Sequence, residues 1–192
     1  MTVLYFVRHA QPDYRQGVNS TFVLSEEGMN DRMRAAEVLE GVRFDRAVSS
    51  PYTRSVLTIM PIVESKGLEL TFDERLRERD NQGGNTRDMF RRRWADFDFH
   101  EEGGESLGST QERNVAAVRD ILSKYEGETV LVGTHGTALS TIINHYRPEF
   151  GFEQFMRIID FMPYILRMDF EGQTLTGMEE LFSLHKEFHG VK

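Results

Sequence analysis

The sequence predicts an α/β fold, a three-layer α/β/α sandwich with a mostly parallel central sheet and a lid insertion. Residues 3–7 form an uninterrupted apolar run, which is typical of a strand covered on both faces. Two further short strand patterns, at 46–48 and 129–133, are each followed by a pattern typical of a helix. The chain has 192 residues, 39% of them hydrophobic, so we expect one domain over 1–192 with a lid at about 79–108.

The composition argues against several kinds of function. A net charge of -8 disfavours non-specific binding to nucleic acid or to an anionic membrane. Because the chain has no cysteine, it has no disulfide, no thiolate nucleophile and no cysteine-based zinc site. The apolar runs are too short to cross a bilayer, and residues 1–7 lack the features of a signal peptide, so we expect a cytoplasmic protein.

Arg8 and His9 directly follow the first strand. An isolated pair of this kind more often belongs to the ordinary surface than to a site, but open α/β sheets bind ligands at the carboxyl ends of their strands. Residues 10–24 have no periodicity and predict a loop over this end, where it would help to shape a ligand site.

The helix after this loop is predicted to cover the sheet. Ser25 can cap it, and Gly41 can end it. Its apolar face is predicted to consist of Met29, Met33, Ala36 and Leu39.

The second strand leads into a helix that Ser50 can cap, with Pro51 in its first position. Arg54 then lies in or next to the first helical turn. Because the N-terminus of a helix is already positive, a cation is unfavourable there unless an anion joins it. Arg54 is therefore a candidate ligand-binding residue, although it could also extend into solvent. The helix is predicted to continue to Gly67, with a kink at Pro61.

Residues 68–72 predict a short strand that leads into a charged stretch at 73–80. The next residues, 79–108, contain paired glycines, the basic cluster 91–93 and Trp94, but no clean strand or long helix. An irregular stretch of that length inside a compact domain is usually a functional lid. The basic cluster is expected to be a solvated or substrate-facing patch.

A third strand-to-helix junction lies at 134–136. It follows a helix for which Ser109 and Glu112 predict a capping box. His135 is placed at the end of a strand and beside a helix N-terminus, where free backbone N–H groups attract anions. The chain continues into a predicted hairpin of two strands, at 164–170 and 174–181.

Four basic side chains from these three junctions are predicted to converge at one edge of the sheet: Arg8, His9, Arg54 and His135. Such a set needs an anion, and phosphate fits because guanidinium groups match its oxygens. Metal-dependent phosphoryl transfer would require clustered carboxylates at the strand ends, which are lacking. We therefore expect no metal and no cofactor. A histidine can instead be the covalent nucleophile, so His9 is expected to attack while the other three hold the phosphate.

One more histidine pair has the spacing of metal ligands. His185 and His189 lie four residues apart, but the sequence places no third ligand near them, so metal binding is not expected.

Taken together, the motifs at these strand ends make the chain resemble the histidine phosphatase, or phosphoglycerate-mutase-like, superfamily. The resemblance covers most of residues 2–145 and implies that His9 becomes phosphohistidine and that Glu78 protonates the departing oxygen. The motifs that carry it, in the order of the family, are Val7-Arg8-His9-Ala10, Ser49-Ser50-Pro51 through Arg54, Leu76-Arg77-Glu78, Gly103-Gly104-Glu105-Ser106 and Thr134-His135-Gly136.

Three residues depart from the family pattern. Ala10 replaces the usual glycine, at little cost if its backbone does not need a positive φ. Pro12 and Arg15 occupy positions where many relatives carry Thr and Asn around the phosphate. We expect Arg15 to bind the substrate, as an alternative phosphate donor or through the rest of the molecule.

The resulting prediction is a metal-independent phosphomonoesterase that acts on a small phosphorylated metabolite. One alternative is a phosphoglycerate mutase, which returns the phosphate to its substrate; the short chain and reduced lid favour hydrolysis. The other is an inactive module that binds a phosphorylated ligand, which the retained histidines, arginines and Glu78 argue against.

Overall fold

A computed structural model describes residues 1–15 and 17–186 as a sheet with helices on both faces. A short 3₁₀ helix, Glu74–Leu76, precedes the predicted lid segment. The strands and helices of the described residues are β1 (Thr2–Arg8), α1 (Glu26–Val38), β2 (Arg46–Ser49), α2 (Thr53–Lys66), β3 (Leu70–Phe72), α3 (Arg87–Ala95), α4 (Leu107–Lys124), β4 (Thr129–Thr134), α5 (Gly136–Tyr146), α6 (Phe152–Ile158), β5 (Phe161–Glu171) and β6 (Thr174–His185).

The sheet has the strand order β3-β2-β4-β1-β5-β6. Its first four strands are parallel, whereas β5 runs antiparallel to both β1 and β6. β5 and β6 form the predicted hairpin. The prediction of a mostly parallel central sheet is therefore confirmed.

Helices cover both faces of the sheet. Side chains of a strand alternate between its two faces, so β1 contributes to a core on each side. Leu4 and Phe6 of β1 pack in a core with α4, α5 and α6, whereas Val3, Tyr5 and Val7 pack with α1 and α2. Every residue of β1 is buried, as its unbroken apolar run predicts. The result is the predicted three-layer arrangement.

The register of the parallel strands brings the sequence motifs together. Arg8, the last residue of β1, pairs with Thr134, the last residue of β4, so His9 and His135 follow adjacent strand ends. Ser49 at the end of β2 pairs with Gly133 on the other side of β4. The three strand-to-helix junctions thus meet at one edge of the sheet.

The exposed methionines of α1 correct one prediction. Met29 and Met33 are 36% and 47% exposed, whereas Ala35 and Leu39 are fully buried. A Cβ atom at Gly28 would lie 2.2 Å from the carbonyl oxygen of Gln11. The face of α1 that carries Gly28 therefore packs against the loop that contains Gln11. This close approach fixes the rotation of α1 about its own axis, which the apolar pattern did not predict.

Two helix starts also differ from prediction. α2 begins at Thr53 rather than at Pro51, and the hydroxyl of Ser50 accepts a hydrogen bond from Tyr52 N in a turn before the helix. α4 is capped by Ser106, which accepts from Ser109 N, so the expected capping box at Ser109 does not form. At α4 an earlier serine takes the capping role, whereas α2 begins after Tyr52, which makes no side-chain cap.

Candidate active site

His9 is a buried, neutral histidine with one nitrogen free to react. Its Nδ1 lies 2.8 Å from the carbonyl oxygen of Ala10. Because a carbonyl oxygen can only accept, Nδ1 carries the proton of the neutral ring, and Nε2 keeps its lone pair. Burial, and then the positive charges of Arg54 and Arg8, hold the pKa of His9 well below its usual value. His9 is therefore suited to act as a nucleophile near neutral pH.

Arg8 is held rigidly beside it. Its two terminal nitrogens donate to the carbonyl oxygens of Ile158 and Ile159 at 2.8 and 2.9 Å. A Cβ atom at Gly136 would lie 2.9 Å from Arg8 Cζ, so the glycine that follows His135 makes room for the guanidinium. Burial lowers the pKa of Arg8. Such a buried cation requires anionic partners, which agrees with a phosphate site.

Arg54 lies in the first turn of α2, as predicted, and points into the site rather than into solvent. It is only 3% exposed. One terminal nitrogen donates to the carbonyl oxygen of Asn19, and the other donates to Asn19 Oδ1 at 3.0 Å. Sequence reasoning missed Asn19, although it lies in the loop that was expected to shape the site. This asparagine orients the arginine that faces the candidate phosphate position.

His135 is fully buried, with its ring centroid 5.3 Å from that of His9. Its Nε2 lies 2.7 Å from Ser50 Oγ, a partner that sequence reasoning treated only as a helix cap. Burial, followed by the charge of Arg54, holds the pKa of His135 well below its usual value. His135 is therefore neutral in the free protein.

Three buried nitrogens of these side chains have no hydrogen-bond partner within the described residues: Arg8 Nε, Arg54 Nε and His135 Nδ1. Buried polar groups are rarely left without partners, because each one costs free energy unless a ligand or water satisfies it. Their common location at the strand edge suits an acceptor such as an anion. Phosphate oxygens fit this set.

Glu78 occupies the N-terminus of α5. Its carboxylate accepts hydrogen bonds from Thr137 N at 3.0 Å, from Ala138 N at 3.0 Å and from Arg79 N at 2.8 Å. Helix N-termini attract anions, as predicted for this junction, but the anion that binds these N–H groups is the side chain of Glu78. This contact places the candidate acid at the edge of the site.

A cavity of about 630 Å³ opens over these residues. Arg8, His9, Arg54 and Glu78 line one part of it, and residues of the 79–108 segment line another.

The 79–108 segment contains α3, a helix of nine residues, where no long helix was expected. Arg93 on this helix is only 2% exposed, whereas Arg91 and Arg92 lie at the surface. The basic cluster is thus divided between solvent and cavity.

Arg15 is not brought to this cavity. Its side chain is 84% exposed and forms an ion pair with Asp13 at 2.7 Å. The tight local pairing turns the guanidinium away from the strand edge, so its expected role in substrate binding has no support in its position. At Ala10, by contrast, the backbone has no positive φ, so the departure from glycine causes no strain.

Two absences hold for residues 1–15 and 17–186. No group of three or more histidine or carboxylate side chains is placed to hold a metal ion. No helix there is long and apolar enough to cross a membrane. Of the histidine pair near the end of the chain, His185 is exposed at the end of β6, and His189 lies outside the described residues.

Comparisons with known proteins agree with this geometry. A family model described as histidine phosphatase superfamily (branch 1) matches residues 4–176. The chain is 32% identical over 165 residues to a 2,3-bisphosphoglycerate-dependent phosphoglycerate mutase of Xanthobacter autotrophicus, covering 73% of this chain and 79% of the relative. It is 30% identical over 151 residues to phosphoserine phosphatase 1 of Hydrogenobacter thermophilus, covering 70% of this chain and 71% of the relative.

Solved structures show the same fold. Bacillus stearothermophilus YhfR superposes with a TM-score of 0.75 and 26% identity, over 92% of this chain and 95% of that one. Phosphoserine phosphatase from Entamoeba histolytica, in complex with 3-phosphoglyceric acid, gives a TM-score of 0.76 over 97% of this chain and 98% of that one; at 20% identity this likeness shows the fold alone. The predicted fold and the predicted phosphatase class are confirmed. The chain belongs to the histidine phosphatase superfamily (branch 1), as its ordered motifs predicted.

Proposed function

We propose that this protein is a metal-independent phosphomonoesterase that hydrolyses a small phosphorylated metabolite through a phosphohistidine at His9. One observation carries the proposal. Among the described residues, a neutral histidine with a free Nε2 lies near three buried nitrogens that have no hydrogen-bond acceptor, on Arg8, Arg54 and His135. Donors fixed in this way bind the phosphate and stabilise the charge that develops on the transferring phosphoryl group.

The first step transfers the phosphoryl group to the protein. Nε2 of His9 attacks phosphorus, the ester P–O bond breaks, and its electron pair leaves with the oxygen of the alcohol. Glu78 enters this step as the protonated acid, gives that oxygen its proton and is left as the carboxylate, so the product is a neutral alcohol. Arg8, Arg54 and His135 keep their contacts to the phosphoryl oxygens throughout.

The second step restores His9. A water molecule attacks the phosphorus of phosphohistidine, the P–N bond breaks, and its electron pair returns to Nε2. The carboxylate of Glu78 takes the proton of the water, which completes the cycle. Residues 79–108, which line the outer part of the cavity, act as the lid that limits access of bulk water.

A phosphoglycerate mutase is the second candidate, since relatives at 32% identity carry that name. The two activities share the first step and differ only in the acceptor of the phosphoryl group, which is water in one and a phosphoglycerate in the other. An inactive phosphate-binding module is the third candidate, and it would form no phosphoenzyme.

The test uses the purified chain with a panel of phosphorylated metabolites in the presence of EDTA. We expect release of inorganic phosphate in EDTA and an acid-labile phosphoenzyme when turnover is quenched. His9→Ala should abolish both the turnover and the label, because it removes the imidazole that is proposed to attack phosphorus. The exposed His100→Gln is the matched control and should retain both.

Three outcomes contradict the proposal. Activity that is lost in EDTA and restored by a metal would show metal-dependent chemistry. A label that persists in His9→Ala would place the nucleophile elsewhere. Transfer of the phosphoryl group to 3-phosphoglycerate faster than to water would identify a mutase.

A further inference from the structure

The cavity is larger than a phosphoryl group requires. Its volume of about 630 Å³ lies in the range of roughly 300–1,000 Å³ that encloses drug-sized ligands. The phosphate site occupies only the end lined by Arg8, His9 and Arg54. The chemistry of the remaining walls therefore selects the leaving group.

One part of these walls is aromatic. The rings of Phe90, Trp94 and Phe155 contact one another, with the centroid of Phe155 5.2 Å from that of Phe90 and 5.4 Å from that of Trp94. All three residues line the cavity, as do the apolar Leu107 and Ile159. Trp94 is half-buried, so part of its ring remains available. Phe90 and Phe155 are only 7% and 3% exposed, so Trp94 offers most of the accessible aromatic surface of this wall. An aromatic wall of this kind favours an apolar or ring-containing ligand.

A second wall of the cavity carries arginines, but their guanidinium groups are already bonded within the protein. Arg79 and Arg93 are the cations that line the cavity away from the phosphate end, among the described residues. Their side chains are 3% and 2% exposed, and both pair with Glu101.

The hydrogen bonds of Arg93 are all made within the lid. Its Nε donates to Glu101 Oε1 at 2.7 Å, and its terminal nitrogens donate to Asn85 Oδ1 at 3.1 Å, to Asn81 Oδ1 at 3.0 Å and to Gly84 O at 2.9 Å. A carboxylate on the substrate would have to displace these partners.

Arg79 is engaged in the same way. One terminal nitrogen donates to Glu101 Oε2 at 3.1 Å and to the carbonyl oxygen of Glu105, and the other donates to Asn81 Oδ1 at 2.8 Å. The two arginines thus stabilise the lid, and neither presents both terminal nitrogens to a ligand.

From these walls we infer that the preferred substrate, given the proposed phosphatase activity, is the phosphate ester of an uncharged, ring-containing alcohol rather than of a small carboxylic acid. The ring lies against Trp94, Phe90 and Phe155 while the phosphate lies at His9. Burial of a ring against these side chains supplies binding that a three-carbon acid cannot obtain there.

The kinetic test compares esters whose leaving alcohols have similar basicity, so that intrinsic reactivity does not decide the result. We expect kcat/KM for benzyl phosphate to exceed that for ethyl phosphate by roughly tenfold or more, as burial of a phenyl ring implies. It should also exceed that for 3-phosphoglycerate and for O-phosphoserine. Trp94→Ala should reduce the ratio of kcat/KM for benzyl phosphate to that for ethyl phosphate by about fivefold.

A binding test separates this inference from the proposed function. Calorimetry compares 2-phenylethylphosphonate with 3-phosphonopropionate, neither of which needs turnover. Tighter binding of the phenyl compound supports the aromatic subsite. If no ester is hydrolysed, that result overturns the proposed phosphatase activity and leaves the aromatic subsite supported. Equal or tighter binding of the carboxylate, or a wild-type preference for 3-phosphoglycerate, overturns the inference. If Trp94→Ala fails to fold, Trp94→Leu, which keeps apolar volume, takes its place in the kinetic test.

Discussion

The hydroxyl oxygen of Ser50 lies 2.7 Å from Nε2 of His135. The same oxygen accepts a hydrogen bond from Tyr52 N at 3.2 Å, so its own hydrogen is free to be donated to Nε2. In that arrangement the single proton of the neutral ring is on Nδ1, a buried nitrogen that has no hydrogen-bond partner in residues 1–15 and 17–186. Ser50 thereby leaves Nδ1 of His135 as a hydrogen-bond donor, which is the role that we propose for it toward a phosphate.

Ser50→Ala should remove this control of the tautomer. We expect kcat to fall by roughly tenfold, because the contribution of one oriented hydrogen bond to the transition state is lost, with a smaller change in KM. Nitrogen NMR of His135 should show a changed tautomer population. Ser65→Ala, which removes a hydroxyl bonded to Ile62 O in α2, is the control. An unchanged tautomer with reduced activity would contradict this role of Ser50.

Glu78→Gln tests the proton donor. The substitution keeps the size of the side chain but removes the acidic proton, so release of alcohol from an alkyl phosphate should slow by roughly 10²- to 10⁴-fold. It also replaces one of the two oxygens that accept hydrogen bonds at the start of α5 with an NH2 group, which cannot accept. A nitrophenyl phosphate should slow much less, because its leaving group is already a stable anion. Single-turnover release of the leaving group is the measurement. Equal slowing for both esters would move the role to Asp80, which also lines the cavity.

Gly136→Ala tests the packing beneath Arg8. The new Cβ atom would lie 2.9 Å from Arg8 Cζ and 3.0 Å from its Nη2, and the guanidinium is tied to two carbonyl oxygens that resist its movement. We expect a rise in KM and a loss of roughly tenfold or more in kcat/KM through a displaced phosphate contact. Gly41→Ala is the control, since nothing lies within 4 Å of its Cβ position. Full activity of Gly136→Ala would show that Arg8 is not critically placed.

The two site histidines predict a dependence of stability on pH. Their pKa values are held well below the usual 6.5 in the folded state, so below about pH 6.5 the unfolded chain binds more protons than the folded one. Their contribution to stability is therefore present above that pH and is lost as the pH falls toward the folded-state pKa values. Each histidine contributes a slope of up to about 1.4 kcal/mol per pH unit in that window.

Denaturant unfolding between pH 7 and pH 5 measures this effect. In His135→Asn the unfolding free energy should fall less between pH 7 and pH 5 than it does in the wild type. The exposed His100→Gln is the control substitution. An unchanged slope in His135→Asn would mean that this histidine does not contribute to acid destabilisation.

The sequence by itself determined the fold class and the placement of four basic residues at one edge of the sheet. The apolar run of β1 required a strand covered on both faces, and the strand-to-helix junctions placed Arg8, His9, Arg54 and His135 at one edge of a parallel sheet. These are local signals, because strand and helix patterns depend on residues close together in the chain. The order of the motifs then identified the family before any contact was known.

Only the tertiary structure decided how each side chain is used. The hydroxyl of Ser50 meets His135 across 85 residues, Glu78 reaches the N-terminus of α5 across 60, and Arg8 binds a carbonyl oxygen 150 residues away. Asn19 supports Arg54, whereas Arg15 turns to Asp13. The periodicity of a sequence does not predict such contacts. They form only after strand register and packing bring distant segments together, when each unpaired polar group bonds to a partner within reach.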